Sequence, residues 1–312
     1  MRLDPVTLEK LRRFAAIRRG FWSLVVVLVL IFFSLFAEVF INSRALVVRY
    51  EGAWFFPSYG QMIPGSTFGL DYSYETDYRV LKQVFQARRE NGQGRGDFVI
   101  LPPVPYNPYE NDLKLNQYPP FPPSIKDRHF LGTDNAGRDV LARLVYGFRT
   151  AMGFSVLLLI VTYGIGIALG CAMGYFGGRF DLFFQRIIEI WTNVPVLFVI
   201  IIIASITIPS FKILILIMAF FGWTGMTWVM RTMTYREKER EYILAVRSLG
   251  ASHARIIFRH IIPNTISVIV TYAPFAVSGG IVSLTSLDYL GFGLPAPTPS
   301  WGELLSQGWQ NM

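Results

Sequence analysis

Long apolar runs recur along the chain and define its architecture. An apolar run of about 17–25 residues can cross the roughly 30 Å hydrocarbon core of a bilayer as a helix. Five runs reach that length with at most one charged residue each: residues 21–41, 151–176, 187–208, 213–230 and 265–287. The pattern therefore predicts an all-α integral membrane protein with five membrane-spanning helices.

The first run follows a basic segment, residues 1–20, as the apolar core of a signal peptide would. It is longer than the ~7–15 apolar residues of a signal peptide, and no small-x-small cleavage site follows it. We therefore expect residues 21–41 to be an uncleaved transmembrane anchor.

Charge placement predicts the orientation. The chain is 52% hydrophobic and 16% charged, with a net charge of +8. That charge could indicate nucleic-acid binding, but the basic residues cluster at the ends of the apolar runs, where they report topology. If the N-terminus is cytoplasmic, all three basic segments lie on the cytoplasmic side: residues 1–20, the link after the second run and residues 231–264. We expect no nucleic-acid partner and a multi-pass protein of a bacterial inner membrane.

This orientation places two segments outside the cytoplasm, residues 42–149 and residues 288–312. Five spans would leave the chain on the outer side after the last run. Either the number of spans is odd or the sequence stops before a sixth helix, and we expect the second. Residues 150–287 would then form the transmembrane core.

The outer loop has two distinct parts. The stretch VVRYEGAWFFP predicts a hairpin of residues 47–50 and 53–56. Residues 97–123 are dense in proline, which predicts an extended, polyproline-like course instead of a helix. The sequence GQGRGD before them reads as a flexible turn. Aromatic residues in the loop favour an ordered cap over the membrane face, although a plain spacer is the alternative.

The sequence LGTDNAGRDVLARLVYGFRT precedes the second run. Residues 132–135 can form a capping turn before a helix. Asp139 and Arg143 have the i,i+4 spacing of an ion pair, and apolar residues line one side. We expect an amphipathic helix at the outer interface, with an ordinary capped surface helix as the alternative.

Glycines recur every fourth residue inside the second run, at Gly166, Gly170 and Gly174. Such spacing lets two helix backbones approach closely, which predicts a helix-packing face. The local sequence GIGIALG is not a dinucleotide fingerprint, because no strand–turn–helix unit surrounds it.

Catalytic chemistry is scarce. The sequence has no GxxxxGK[ST] phosphate loop, and its histidines, His129, His253 and His260, have no metal-ligand spacing. The single cysteine, Cys171, lies inside the second run, so neither a disulfide framework nor a thiolate metal site is expected. We expect no enzyme activity, no metal and no cofactor.

Ionisable residues at membrane depth are costly and often functional. The two candidates are Glu38, near the outer end of its run, and Glu189, which can pair with Arg186 three residues earlier. Pro195 in the same run is expected to bend its helix. The chain thus offers helices and packing faces without an evident energy source.

The polar stretch EYILAVRSLGASHARIIFRHIIPN, residues 241–264, separates the last two runs. Residues 237–249 predict a helix whose apolar side includes Tyr242, Ala245, Val246 and Leu249. Gly250 fits the position after its end, and Ser252 can cap a second helix. Pro263 suits the first turn of the fifth span. From the pattern alone, this elbow could contact another protein or rest on anionic lipid headgroups.

The same stretch closely resembles the EAA loop of ABC-importer permeases, in the EYxxAxxxxGAS…IIFRHIxPN form of the oligopeptide and dipeptide permease family. In that family it forms a coupling helix seated in a groove of the ATP-hydrolysing subunit. The matching residues are Glu241, Tyr242, Ala245, Leu249, Gly250, Ala251, Ser252, His260, Pro263 and Asn264. Leu244 and Val246 depart from the family's frequent Glu and Ala, which weakens the case for one acidic contact.

Two further stretches resemble the same family. LGTDNAGRDVLARLVYGFRT is similar to the signature before its second span, and LDYLGFGLPAPTPSWGELLSQG to the outward loop before its last helix. The sequences RRGFWSL and VRYEGAWFFP and the long insert before LGTD look like the Yej-type peptide permeases associated with microcin C uptake. The resemblance implies the C-type half of a type I ABC importer.

The resemblance also implies partners: a second permease subunit, two ATPase subunits or one fused ATPase, an extracytoplasmic peptide-binding protein and membrane lipid. An ABC importer of nickel or another small solute is the nearer alternative, since the same motifs serve several substrates. A secondary transporter that needs no ATPase is the alternative of another class, and it would require an intramembrane charge such as Glu189.

Overall fold

The computed structural model describes residues 16–91, 96–114 and 117–311. The turn predicted for GQGRGD and most of the basic segment 1–20 lie outside the described residues. The chain divides into two compact units, residues 1–149 and residues 150–312.

Candidate membrane spans occur in both units. Within the described part of the chain, four helical stretches are long and apolar enough to cross a membrane: Arg18–Leu35, Val140–Phe176, Phe211–Lys238 and His253–Tyr289. A fifth candidate is a pair of helices, Gly178–Thr192 and Val196–Ile206, bent by 64°. The third predicted run is therefore not one straight helix. Its bend falls at the predicted Pro195, since proline disfavours helical backbone in the residue before it.

The first unit begins with helix α1 (Arg18–Leu35) and the short helix α2 (Ala37–Phe40), which together cover the first apolar run. Strands β1 (Val47–Tyr50) and β2 (Ala53–Phe55) then form the predicted hairpin. Glu51 and Gly52 at its turn have φ angles of 50° and 83°. Two left-handed residues make the tight turn whose twist matches the strands.

The hairpin belongs to a small antiparallel sheet. Strand β3 (Phe98–Ile100) pairs along the other side of β1, so the strand order is β2-β1-β3. The prediction of an all-α chain is therefore too strict, and the protein is mostly helical. The extended, polyproline-like course was predicted for residues 97–123, but its start forms β3. The described residues between 101 and 123 contain no helix and only an isolated bridge at Val104, in agreement with an extended course there.

Helix α3 (Tyr78–Glu90) follows the hairpin and was not predicted. Asp77 caps it by accepting hydrogen bonds from the backbone amides of Arg79 and Val80, at 2.9 and 3.3 Å. Leu81 and Phe85, four residues apart, pack with the sheet in one buried apolar core. The hairpin and α3 thus form an ordered body and not a spacer.

The segment before the second span differs from its prediction. Helix α4 (Val140–Phe176) is capped by Asp139, whose Oδ1 accepts from the amide of Ala142 at 2.7 Å. The predicted turn contributes through its backbone, since the carbonyl of Gly132 accepts from the amide of Val140, the first residue of α4, at 3.1 Å. Gly137 has a φ of 82°, which interrupts helical backbone before α4 begins. The amphipathic stretch is the first part of one continuous helix that includes the second apolar run.

His129 lies at the centre of a buried polar cluster in the first unit. Its Nδ1 is 2.7 Å from Asp139 Oδ2, its Nε2 is 3.0 Å from Asp112 Oδ2, and its ring stacks on Tyr106. Burial alone would lower the pKa of His129, but the hydrogen bonds to the two carboxylates outweigh it and raise the pKa to about 9. The imidazolium form thus ties the polyproline-like stretch to the start of α4.

This cluster predicts a pH dependence. Since the folded-state pKa of about 9 exceeds the ordinary histidine pKa of 6.5, the cluster's contribution to stability is complete below about pH 6.5 and is lost as pH rises through about 9. We expect the stability difference between wild type and His129→Gln to shrink across that range. The measurement is the urea concentration at which residues 117–139 become protease-sensitive, between pH 6 and 10. Parallel curves for the two proteins would contradict the imidazolium assignment.

The second unit contains the remaining helices. In chain order they are α5 (Gly178–Thr192), α6 (Val196–Ile206), α7 (Phe211–Gly222), α8 (Thr224–Lys238), α9 (Glu241–Ser248), α10 (His253–Ile256), α11 (Ile262–Tyr289) and α12 (Trp301–Gln310). A π-helical turn, Ile257–Ile261, joins α10 to α11. Helix α12 lies against the end of α11, where Ser300 donates a hydrogen bond to Asp288 at 2.5 Å.

The three regularly spaced glycines of α4 all face α8. A Cβ at Gly166 would lie 2.8 Å from the carbonyl oxygen of Trp223, one at Gly170 2.5 Å from that of Thr227, and one at Gly174 2.6 Å from that of Arg231. Real Cβ atoms do not approach backbone oxygens so closely. Each turn of α4 on this side therefore touches backbone, in the manner of small-residue helix pairs in membranes.

Candidate functional site

The elbow, residues 239–264, joins α8 to α11 and contains all ten residues singled out from the sequence. Helix α9 begins at Glu241, later than the predicted residue 237, because the backbone breaks at Glu239 and Arg240. Gly250 follows the end of α9 with a φ of 80°. The amide of Gly250 bonds to the carbonyl of Arg247 at 3.0 Å, and that of Ala251 to Val246 at 3.3 Å.

These two bonds define a Schellman ending, which requires the left-handed backbone that glycine provides. Ser252 then caps α10 by accepting from the amide of Arg255 at 3.4 Å. Pro263 lies in the first turn of α11. The two helical pieces and their glycine bend agree with the local structure predicted from the sequence.

The buried side of α9 is not the predicted one. Ile243 is 1% exposed and packs with Ile256, Ile261 and Met230 in an apolar cluster that holds the elbow onto the spans. Of the four predicted apolar-side residues, only Val246 is half-buried. Tyr242 and Ala245 are exposed, and Leu249 is 86% exposed.

The apolar residues left uncovered give α9 an outer face, which we define as Tyr242, Leu244, Ala245 and Leu249. Four charged residues of the elbow are exposed as well: Glu241 and Arg247 on α9, Arg255 on α10 and Arg259 in the π-helical turn. No described residue forms an ion pair with these three arginines. An exposed apolar patch with a charged rim is the usual composition of a protein-binding surface.

The hydroxyl of Tyr242 braces the elbow. It donates to Glu237 Oε2 at the end of α8, at 2.7 Å, and accepts from Asn264 Nδ2 in α11, at 3.1 Å. Asn264 also donates to the carbonyl of His260 at 2.6 Å. Burial and the Glu237 carboxylate raise the pKa of Tyr242 to about 12, so the hydroxyl keeps its proton. These hydrogen bonds connect α9 to both adjoining spans.

Two further contacts connect the elbow region with other helices. Tyr175 of α4 lies 2.9 Å from His253 Nδ1. Arg231 of α8 makes a bidentate ion pair with Asp181 of α5 at 2.5 and 2.6 Å, and Tyr235 donates to the same carboxylate. Sequence reasoning missed this clamp because Asp181 and Arg231 are fifty residues apart, a spacing with no pattern of its own.

The carboxylates that might have carried an ion-coupled mechanism are paired. Glu189 accepts from Arg186 at 2.6 Å, as predicted, and Glu38 accepts from Arg149 at 2.7 Å. Together with Asp181, they resemble structural pairs more than a proton relay. Among the described residues, no group of three His, Cys, Asp or Glu side chains could hold a metal ion.

The spans also line an open cavity of about 420 Å³, formed by α4, α7, α8 and α11 and by no charged residue. Gly225 and Gly279 lie on its wall, and a Cβ at either would meet no atom within 4 Å. Thr162, Tyr163, Tyr272 and Ser283 contribute hydroxyl groups. An apolar cavity with scattered hydroxyls suits an uncharged part of a solute.

Comparison with known proteins gives a consistent picture. Residues 166–310 match the family described as "Binding-protein-dependent transport system inner membrane component". The chain is 40% identical to the inner membrane ABC transporter permease protein YejE of Escherichia coli (strain K12), over 316 residues that cover 100% of this chain and 89% of that protein. It is 36% identical to the peptidoglycan transport system permease protein YejE of Agrobacterium fabrum, covering 99% of this chain and 85% of that protein.

A more distant similarity covers part of the chain. The oligopeptide transport system permease protein OppC of Lactococcus lactis subsp. lactis is 38% identical over 185 residues, 59% of this chain and 63% of that protein. The elbow lies inside the family match, whereas the first unit lies before it.

Proposed function

The chain belongs to the family of inner membrane components of binding-protein-dependent transport systems, and from that premise we propose that it forms one half of the membrane channel of a peptide-importing ABC transporter. Peptide as cargo is supported by the oligopeptide transport named for one relative. The name of the Agrobacterium relative favours a second candidate, peptide-bearing fragments of peptidoglycan. The uncharged cavity between the spans would hold the cargo through backbone and apolar contacts.

The observation that carries this proposal is the outer face of α9. Its apolar residues are uncovered, its arginines are unpaired among the described residues, and its hydroxyl brace connects it to α8 and α11. An ATPase subunit bound to this face would move both adjoining spans at once when the ATPase subunits close on ATP. The elbow would matter only if its contacts differ between two states of the transporter.

The proposed assembly has an orientation and a set of partners. The N-terminus and the elbow would face the cytoplasm, where two ATPase subunits or one fused ATPase bind. A second permease subunit would complete the channel. Residues 42–149 of the first unit would face outward and receive the peptide-binding protein. Lipid would cover the remaining apolar surface of the spans.

A pull-down tests the proposed function. The full-length tagged chain is extracted from its native membrane in mild detergent, and the co-eluting proteins are identified by mass spectrometry. We expect a second permease, ATPase subunits and a peptide-loaded binding protein. Recovery of the chain alone, still transporting in vesicles without ATP, would refute the proposal and favour a secondary transporter.

A further inference from the structure

A small polar pocket lies in the first unit beside the start of α3. Its volume is about 160 Å³, enough for a few water molecules or one small polar group. Three carboxylates and two guanidinium groups line it, so the lining carries one net negative charge: Glu75, Asp77, Glu110, Arg44 and Arg79. Tyr78 lines the same pocket.

Ion pairs hold the charged lining in place. Arg44 Nε lies 2.5 Å from Glu75 Oε1. Arg79 donates to Glu110 Oε1, and its Nε lies 3.7 Å from Asp77. Asp77 in turn caps α3, so the amides at the start of that helix are already satisfied and do not recruit an anion. Each guanidinium is therefore committed to a carboxylate.

Three buried polar atoms of the pocket have no hydrogen-bond partner among the described residues. Glu75 Oε1 at least lies in the ion pair with Arg44, but the second oxygen of Glu110, Oε2, and the hydroxyl of Tyr78, a residue only 1% exposed, have no ion pair with a described residue either. Buried polar groups are nearly always paired, because leaving one unpaired costs about 1–3 kcal/mol. Two such atoms in one pocket indicate a missing partner.

The chemistry of these atoms identifies the partner. A carboxylate oxygen accepts and never donates, so the group that completes Glu110 must be a donor. A primary ammonium carries three donors, balances the net negative charge and fits the volume. A metal ion is disfavoured, since no described group of three acidic or histidine side chains could hold one. We propose that this pocket binds a primary ammonium group, whose N–H groups donate hydrogen bonds to Glu110 Oε2 and Tyr78 Oη.

Two sources could supply such a group: the amino terminus of a free peptide, or a lysine side chain of a protein docked on the first unit. The shared chemistry can be tested first, on the full-length chain and independently of the proposed transport function. The probe is methylammonium chloride, and the control is tetramethylammonium chloride, which has the same charge but no N–H donor. Sodium acetate tests the opposite assignment, an anion site.

We expect methylammonium to raise the thermal unfolding midpoint saturably, while tetramethylammonium and acetate do not. Glu110→Gln should weaken methylammonium binding about tenfold or more, as loss of a charged hydrogen bond does. Tyr78→Phe keeps every ion pair of the pocket, so it tests the proposal even if Glu110→Gln misfolds. It should leave the ligand-free midpoint unchanged or higher, because it removes an unpaired buried hydroxyl, and should still weaken binding.

An equal response to methylammonium and tetramethylammonium, or no response to either, would overturn the proposal and leave the pocket to water. A response to acetate alone would assign an anion site instead. Two arms then separate the sources: peptides with free or acetylated amino termini, and the co-purified binding protein with native or acetylated lysines. If the pocket binds a biological ammonium group, acetylation must abolish the binding of either the peptides or the binding protein. If acetylation changes neither, the proposal is overturned.

Discussion

Gly170→Ala is expected to destabilise the membrane unit, although it adds a single methyl group. The new Cβ would lie 2.5 Å from the carbonyl oxygen of Thr227 and 2.8 Å from Met230 Cβ, so α4 and α8 must separate. Overpacking of a close contact costs about 1–3 kcal/mol, and a clash with backbone belongs at the upper end. We expect a lower thermal unfolding midpoint in detergent and a smaller yield of folded protein.

Gly164→Ala is the matched control in the same helix. Gly164 is exposed and a Cβ there meets nothing within 4 Å, so the substitution should be neutral or slightly stabilising. Equal midpoints for the two variants would show that α4 and α8 do not meet through this glycine stripe. A loss at Gly164 alone would place the packing face on the opposite side of α4.

Sequence periodicity was informative wherever one local rule decided the structure. The apolar runs located the spans, the two-residue turn at Glu51 and Gly52 marked the hairpin, and Gly250 marked the end of α9. In each case the local conformational preference of a short stretch agrees with its tertiary surroundings, so the sequence pattern was sufficient to predict the structure.

Prediction was incomplete before α4 and at α3. The carbonyl of Gly132 caps α4 as part of the predicted turn, but α4 begins only at Val140, after the left-handed Gly137, which packs against the backbone of the distant Asp112. Helix α3 had a usable signal in Asp77, Leu81 and Phe85, but that signal was not used, and no element was predicted for residues 78–90.

The candidate site shows the same division. The two helices and the glycine bend of the elbow were predictable. The buried side of α9 was not, because Ile243 is buried in an apolar cluster to which α4, α8 and α11 all contribute. The brace from Tyr242 to Glu237 and Asn264 depends on how the helices meet, as does the clamp of Asp181 and Arg231. The role of the outer face of α9 in coupling stays a prediction.

Ala245→Trp is expected to have the largest effect on transport. Ala245 lies on the exposed outer face of α9, so an indole ring there leaves the chain's own core intact and obstructs whatever seats against α9. Gly250→Trp should also uncouple the transporter, but it adds about 1–2 kcal/mol of backbone strain, since the φ at Gly250 is 80°. Ala245→Trp separates the effect of bulk from that strain.

A matched control exists on another exposed helix surface. Ala87 lies on α3 of the first unit, and Ala87→Trp adds the same bulk to a helix that is not part of the elbow. We expect it to insert, assemble and transport like wild type. Coupling free energies between sites are typically 1–3 kcal/mol, so loss of the elbow contact should reduce coupling about tenfold or more.

The measurement that tests this account most directly is peptide taken up per ATP hydrolysed, in the complete transporter reconstituted into vesicles. For Ala245→Trp the account predicts a ratio about tenfold or more below wild type, with normal membrane insertion and an unchanged ratio for Ala87→Trp. A wild-type ratio for Ala245→Trp would contradict it, and would assign the outer face of α9 to lipid instead of an ATPase.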